Sequence, residues 1–288
     1  MTPDRVEDAE PWARGWRIPV SSTGRRLYLT MAGEGPDPLA LFLCPEGGCA
    51  AEAAWLQKAL APQWPSLAYD RAGLGLSDPP DAEAASTAVS DLVLLLDRIT
   101  RTRPPILVGL GHGGWIALQL AAREPDRVAG LVLVDVPQPT PDRGPVRARQ
   151  RDRAASRMRL ALARWGGSRA LAALTSDPIG LPASAAEERR AILASPQHHA
   201  GVLKESADWP RQAETLRALP PPDRELPVAV VATARAGSSN HALQIAPAQR
   251  SRRGWVVTAA GVSLPDLMGP RRGQVTVEAI WHVRALIH

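Results

Sequence analysis

Gly109-Leu110-Gly111-His112-Gly113 joins two stretches of opposite character. Before it, Pro105-Ile106-Leu107-Val108 is a short apolar run after a proline pair, which predicts a buried strand. After it, Gly114-Trp115-Ile116-Ala117-Leu118-Gln119-Leu120-Ala121-Ala122 predicts a helix, and Val128 to Val136 a second buried strand. Glycines crowd the joint, where they let the backbone turn sharply and pass close to its neighbours. At the tip of such a turn the central residue projects into whatever pocket lies above it. Here that residue is Gly111, which has no side chain to project. Placing His112 at the tip instead would put Leu110 where a small residue is needed, so Gly111 is the better register.

Outward from this joint the chain alternates strands and helices. Residues 16–32 predict an edge hairpin around Ser21-Ser22-Thr23-Gly24; Leu39 to Cys44 is the next strand, Glu52 to Leu60 a helix, Ser66 to Asp70 a strand, and Ala84 to Arg101 a helix. Such alternation predicts an α/β fold, a mainly parallel sheet flanked by helices on both faces. Between Pro137 and Pro222 strand signals stop and helical stretches take over, broken at Gly166-Gly167, Pro178, Pro182 and Pro196. We therefore expect a core of residues 1–136 and 225–288 and an inserted helical cap, 137–224. A length of 288 residues suits one large domain of this kind.

Composition narrows the function classes. The formal net charge is +5, and the basic residues are almost all arginine, Lys58 and Lys204 being the only lysines. Basicity of this kind speaks to solubility and weak association rather than to a partner. No nucleic-acid module is recognisable, and no apolar run is long enough to cross a bilayer. Met1 to Pro11 is polar and acidic without an apolar signal core, which predicts a cytoplasmic protein. Cys44 and Cys49 share a glycine-rich loop and read as reduced thiols; no cofactor or metal set accompanies them. Arg149, Arg153 and Arg157 fall on one helical face, beside an apolar stripe of Met158, Leu162 and Trp165. The expected arrangement is a solvated basic face with the stripe packed on the domain; docking of an acidic protein partner or an anionic substrate is the sharper alternative, and membrane-surface binding a third.

Several separate blocks resemble the α/β-hydrolase superfamily. Tyr69-Asp70-Arg71-Ala72-Gly73-Leu74-Gly75-Leu76-Ser77-Asp78 is similar to the stretch after that family's fourth strand. Leu131 to Asp135 resembles the strand after the nucleophile-elbow helix, Pro227 to Val231 the strand before the triad acid, and Pro265 to Ile280 the ending around the triad histidine. The resemblance implies an elbow of the G-x-S-x-G type at Gly109–Gly113. Carried over position by position, it places Gly111 at the nucleophile, Ala236 at the acid and Asp266 at the histidine, and no histidine lies between His241 and His282 to rescue the base. Cys44-Pro45-Glu46-Gly47-Gly48 stands where members carry H-G before a glycine-rich turn; its proline removes one backbone N–H from the oxyanion loop. Acyl transfer needs a nucleophile, a base and an orienter of that base.

Ionisable residues nevertheless fall where the resemblance places the pocket. His112 follows the elbow tip, where related dehalogenases and epoxide hydrolases carry a tryptophan facing the substrate. Asp266 and Glu46 are the candidate carboxylates, and Gly111, Trp115, Gly47 and Gly48 the candidate substrate-binding positions. A histidine facing a carboxylate moves protons without a covalent step. His112 as a hydrogen-bonding partner of the cap, Asp266 as a solvent-facing turn residue and Glu46 as an exposed one are the plainer alternatives. Two functions stay open. One is a repurposed enzyme, a cyclase, isomerase or lyase acting on a small molecule. The other is a non-catalytic member that binds a small ligand or a protein, as in the N-myc downstream-regulated family. A spacious pocket between His112 and Asp266 favours the first; a pocket filled by side chains favours the second.

Overall fold

Ala40–Leu43 (β3), Ser66–Tyr69 (β4), Ile106–Leu110 (β5), Gly130–Val134 (β6) and Val228–Ala232 (β7) are buried at every residue. Apolar runs of this kind suit parallel strands covered on both faces. The computed structural model describes residues 13–35, 39–80, 88–99, 103–139, 146–164 and 177–287, with the backbone alone for 146–153 and 155. The sheet has eight strands in the order β1-β2-β4-β3-β5-β6-β7-β8, where β1 is Arg14–Pro19, β2 Arg26–Ala32 and β8 Gly254–Thr258. β1 and β2 pair antiparallel and β2 runs antiparallel to β4; all other neighbours are parallel. The expected hairpin is present, its turn closed by the Gly24 N–H donating to the Ser21 carbonyl at 3.1 Å.

Side chains alternate across the pleat and divide the core in two. Leu107, Leu131 and Val230 pack with helices α2 (Ala88–Ile99), α3 (Gly113–Arg123) and α7 (Ser239–Arg250). Val108, Val132 and Val231 face α1 (Ala54–Leu60) and α9 (Gly273–Leu286) on the other side. α3 starts so close to β3 that a Cβ on Gly113 would lie 1.9 Å from the Leu43 carbonyl oxygen, which explains why only glycine stands there.

Between β6 and β7 the described residues form helices α4 (Val146–Arg164), α5 (Ala183–Leu193) and α6 (Pro196–Ala218) and no strand. α4 packs along α6, and α6 reaches α3. One expectation fails here. Met158 and Leu162 are not packed on the domain but 60% and 37% exposed, and Ala163 turns inward instead. Trp165 and the side chains of Arg149 and Arg153 lie outside the described residues, so the basic face is represented by Arg157, which is exposed. No helix among the described residues is long and apolar enough to cross a membrane.

Candidate functional site

The turn between β5 and α3 has the geometry of an elbow. Gly111 sits at φ +53°, and its N–H donates to the Val134 carbonyl at 2.9 Å. This left-handed region favours glycine, though an elbow nucleophile would occupy it under strain. A Cβ built on Gly111 would lie 2.9 Å from Leu264 Cδ2 and 3.7 Å from Pro45 Cβ. Two loops thus close over the tip, one following β3 and one following β8.

The loop after β8 comes to the elbow as expected, but with a different residue. Leu264 opens the short helix α8 (Leu264–Met268) and faces Gly111, whereas Asp266 turns away. Ser263 caps α8: its hydroxyl accepts from the Asp266 N–H and donates to the Asp266 carboxylate at 2.6 Å. Arg271 donates to the other carboxylate oxygen at 3.1 Å. The Ser263 and Arg271 bonds hold the carboxyl below the usual carboxylate range. The pairing of His112 with Asp266 expected from the sequence is therefore not formed. A Ser-x-x-Asp cap accounts for this aspartate, and the serine three residues ahead was its signal.

His112 meets the cap instead. The residue is 3% exposed, and its ring packs 5.2 Å from the rings of both Trp115 and Trp209 and bonds through Nε2 to Gln212 Oε1 at 2.9 Å. Trp115 lies 4.2 Å from Trp209 and donates its indole N–H to the Pro137 carbonyl. Trp209 and Gln212 belong to α6, whose residues 198, 202, 205, 209 and 212 recur every three or four positions on one face. Each touches a loop that leaves the C-terminal end of a strand. His198 Nδ1 accepts from the Gly75 N–H at 3.1 Å, and Val202 lies over Gly47. Burial lowers the His198 pKa to about 4.

Glu205 is the centre of this contact. It takes the Arg71 guanidinium in a two-pronged ion pair at 2.6 and 3.0 Å and accepts the Gly47 N–H at 2.7 Å. Arg71 also donates to the Cys44 and Pro45 carbonyls, both at 2.7 Å. Burial pushes the Glu205 carboxyl up, yet Arg71, nearby His112 and the Gly47 N–H together hold it below its ordinary value. The carboxylate beside the elbow histidine is thus Glu205 on α6, a residue that sequence reading passed over.

The other expected positions are accounted for. Glu46 is half-buried in the loop after β3, where the Gly48 N–H bonds back to the Pro45 carbonyl. Ala236 is exposed between β7 and α7. Cys44 and Cys49 are buried free thiols, pushed up by burial. Asp135, at φ +49° after β6, bonds to Thr233 and Gln244 and ties the ends of β6 and β7. A pocket of about 380 Å³ lies beside the Glu205 contact, lined by Gln212, Asp208, Lys204 and Arg71.

A parallel sheet with an elbow turn at the end of its fifth strand, under helices inserted after the sixth, defines an α/β-hydrolase architecture. The chain belongs to the alpha/beta hydrolase family, whose model matches residues 41–276. The RutD protein of Caulobacter segnis, named for carbamate hydrolysis, is 37% identical over 138 residues, covering 47% of this chain and 45% of that relative. RutD of Variovorax paradoxus is 47% identical over 73 residues, 24% and 26% of the two chains. The chain thus spans less than half the length of the curated relatives it matches. Among solved structures, a loop variant of the haloalkane dehalogenase of Bradyrhizobium elkanii has a TM-score of 0.67 at 18% identity, over 94% of this chain and 98% of that one. A bromoperoxidase of Bacillus anthracis has a TM-score of 0.67 at 16% identity, over 94% and 100%. At such identities the likeness speaks to the fold alone.

Proposed function

We propose that this protein does not hydrolyse by the nucleophile, histidine and acid route of its family, and that it acts by binding a small molecule or a protein on the family scaffold. The observation that carries this reading is the closed elbow: Gly111 offers no nucleophile, and Leu264 lies 2.9 Å from where its Cβ would stand. Covalent catalysis needs an accessible nucleophile with a base in reach and a third group orienting that base. An exposed alanine and a carboxylate held by Ser263 and Arg271 supply neither at Ala236 and Asp266. His112, tied to Gln212 and packed against two tryptophans that also touch each other, supports a packed junction of core and cap rather than a reaction chamber.

A second reading, non-hydrolytic acid–base chemistry of the cyclase, isomerase or lyase type, draws support from one feature. Gln212 and Glu205, the residues that hold or neighbour His112, line the pocket of about 380 Å³. In that case Glu205 replaces Asp266 as the carboxylate that tunes the imidazole. The relatives named for carbamate hydrolysis choose the substrates for the test of the first reading. Purified protein is assayed with p-nitrophenyl acetate and with an N-alkyl carbamate. We expect no saturable turnover of either; saturable turnover or a stoichiometric burst overturns the proposal.

A further inference from the structure

We infer that the pocket where the two connections between core and cap cross is a binding site for a small amphipathic organic carboxylate, apart from the elbow. Its volume is about 240 Å³. The chain leaving β6 (Val136–Pro139) and the chain returning from α6 (Leu219–Asp223) both line it. The inference stands whether or not the elbow is silent, because neither Gly111 nor His112 lines this space.

Three features make it a site rather than a packing gap. The first is its apolar wall, where Leu118 of α3 and Leu216 of α6 lie over the fully buried Trp115. The Trp115 N–H is already bonded to the Pro137 carbonyl at 2.7 Å, so the buried indole holds the connection after β6 in place and turns no polar group toward an occupant. The second is the face that α7 presents: Leu243, Ala246, Pro247 and Arg250 are spaced i, i+3, i+4 and i+7 and line the pocket together. Leu243 is 54% exposed there, an apolar side chain in water that an occupant would cover. The third is rigidity, since Pro137, Pro139 and Pro220 to Pro222 fix their own φ angles along both connections. A wall ordered in advance lowers the entropy lost on binding.

Charge then selects the ligand. Arg217 and Arg250 flank the pocket, are exposed, and make no ion pair among the described residues. Asp223, the acidic residue lining it, turns one carboxylate oxygen to the Glu225 N–H at 2.7 Å. Gln244 spends its carbonyl oxygen on the N–H groups of Thr233 and Ala234 and its amide on Asp135. Two exposed guanidiniums against one carboxylate leave a net positive charge to meet an occupant, and the fitting molecule has an apolar body and a carboxylate head. Such an occupant touches both connections.

The test is calorimetric titration of the full chain with octanoate and, as the charge control, octylammonium. Octanoate is expected to bind saturably and octylammonium not. Arg217→Glu and Arg250→Glu, at exposed positions, are each expected to weaken octanoate about tenfold, the scale of a charge-assisted contact. Ala246→Phe should abolish binding by filling the space. Equal binding of octylammonium, absence of octanoate binding, or octanoate binding unchanged in both arginine variants overturns the inference.

Discussion

Glu205 shows how much a single carboxylate does in this protein. It neutralises the buried Arg71, takes the N–H of Gly47 and faces the elbow histidine, so that one side chain of the cap fixes the loop after β3. Removing one partner of a buried ion pair strands the other charge and costs about 3–5 kcal/mol. Glu205→Ala is therefore expected to lower stability in urea denaturation by about that amount, and Arg71→Met with Glu205→Leu to recover most of it. A Glu205→Ala variant as stable as the parent would show that the pair contributes little. His198 adds a pH dependence. Its Nδ1 accepts from Gly75 only when unprotonated, and its pKa falls from 6.5 to about 4 on burial. The unfolded chain then binds more protons than the folded one between these values. This contribution is complete above pH 6.5 and is lost as pH falls toward 4. Burial moves His199 in the same direction. Replacing His198 by Asn should flatten the decline of melting temperature over that range; an unchanged slope would assign the decline to other groups.

At the scale of elements, α6 is the piece that positions the candidate site, and it is the least legible in the sequence. Its inward face is made of His198, Val202, Glu205, Trp209 and Gln212, mostly polar residues, so hydrophobic periodicity does not reveal it. The polar ones among them are buried or half-buried because loops of the core supply their hydrogen bonds, which a local pattern cannot anticipate. Asp266 departs from expectation for a related reason: its loop reaches the elbow, but the Ser263 cap decides which side chain faces it. α6 comes close to the core at Gly201, where a Cβ would lie 2.2 Å from the Gly73 carbonyl oxygen. Gly201→Ala should push the helix off the loop that follows β4. We expect a loss of about 1–3 kcal/mol, read as a lower melting temperature with faster amide exchange at Gly75. Unchanged exchange would mean that the loop follows the helix without strain.

For the whole molecule, the sheet is readable because its central strands are buried on both faces and so appear as unbroken apolar runs. The mainly parallel sheet and the tight turn after β5 agree with that reading, and the described residues between β6 and β7 form helices. What sequence alone leaves open is how loops far apart in the chain close on one another above the sheet, because that depends on packing between elements. Here the closing residues are Leu264 and Pro45 over Gly111, and the α6 face over His112. The sharpest test of a silent elbow is the intact mass of the protein after prolonged incubation with a fluorophosphonate probe. The mass is expected to stay that of the unmodified chain. A stoichiometric adduct mapped to a single residue would mean that a working nucleophile exists and that the family's chemistry survives.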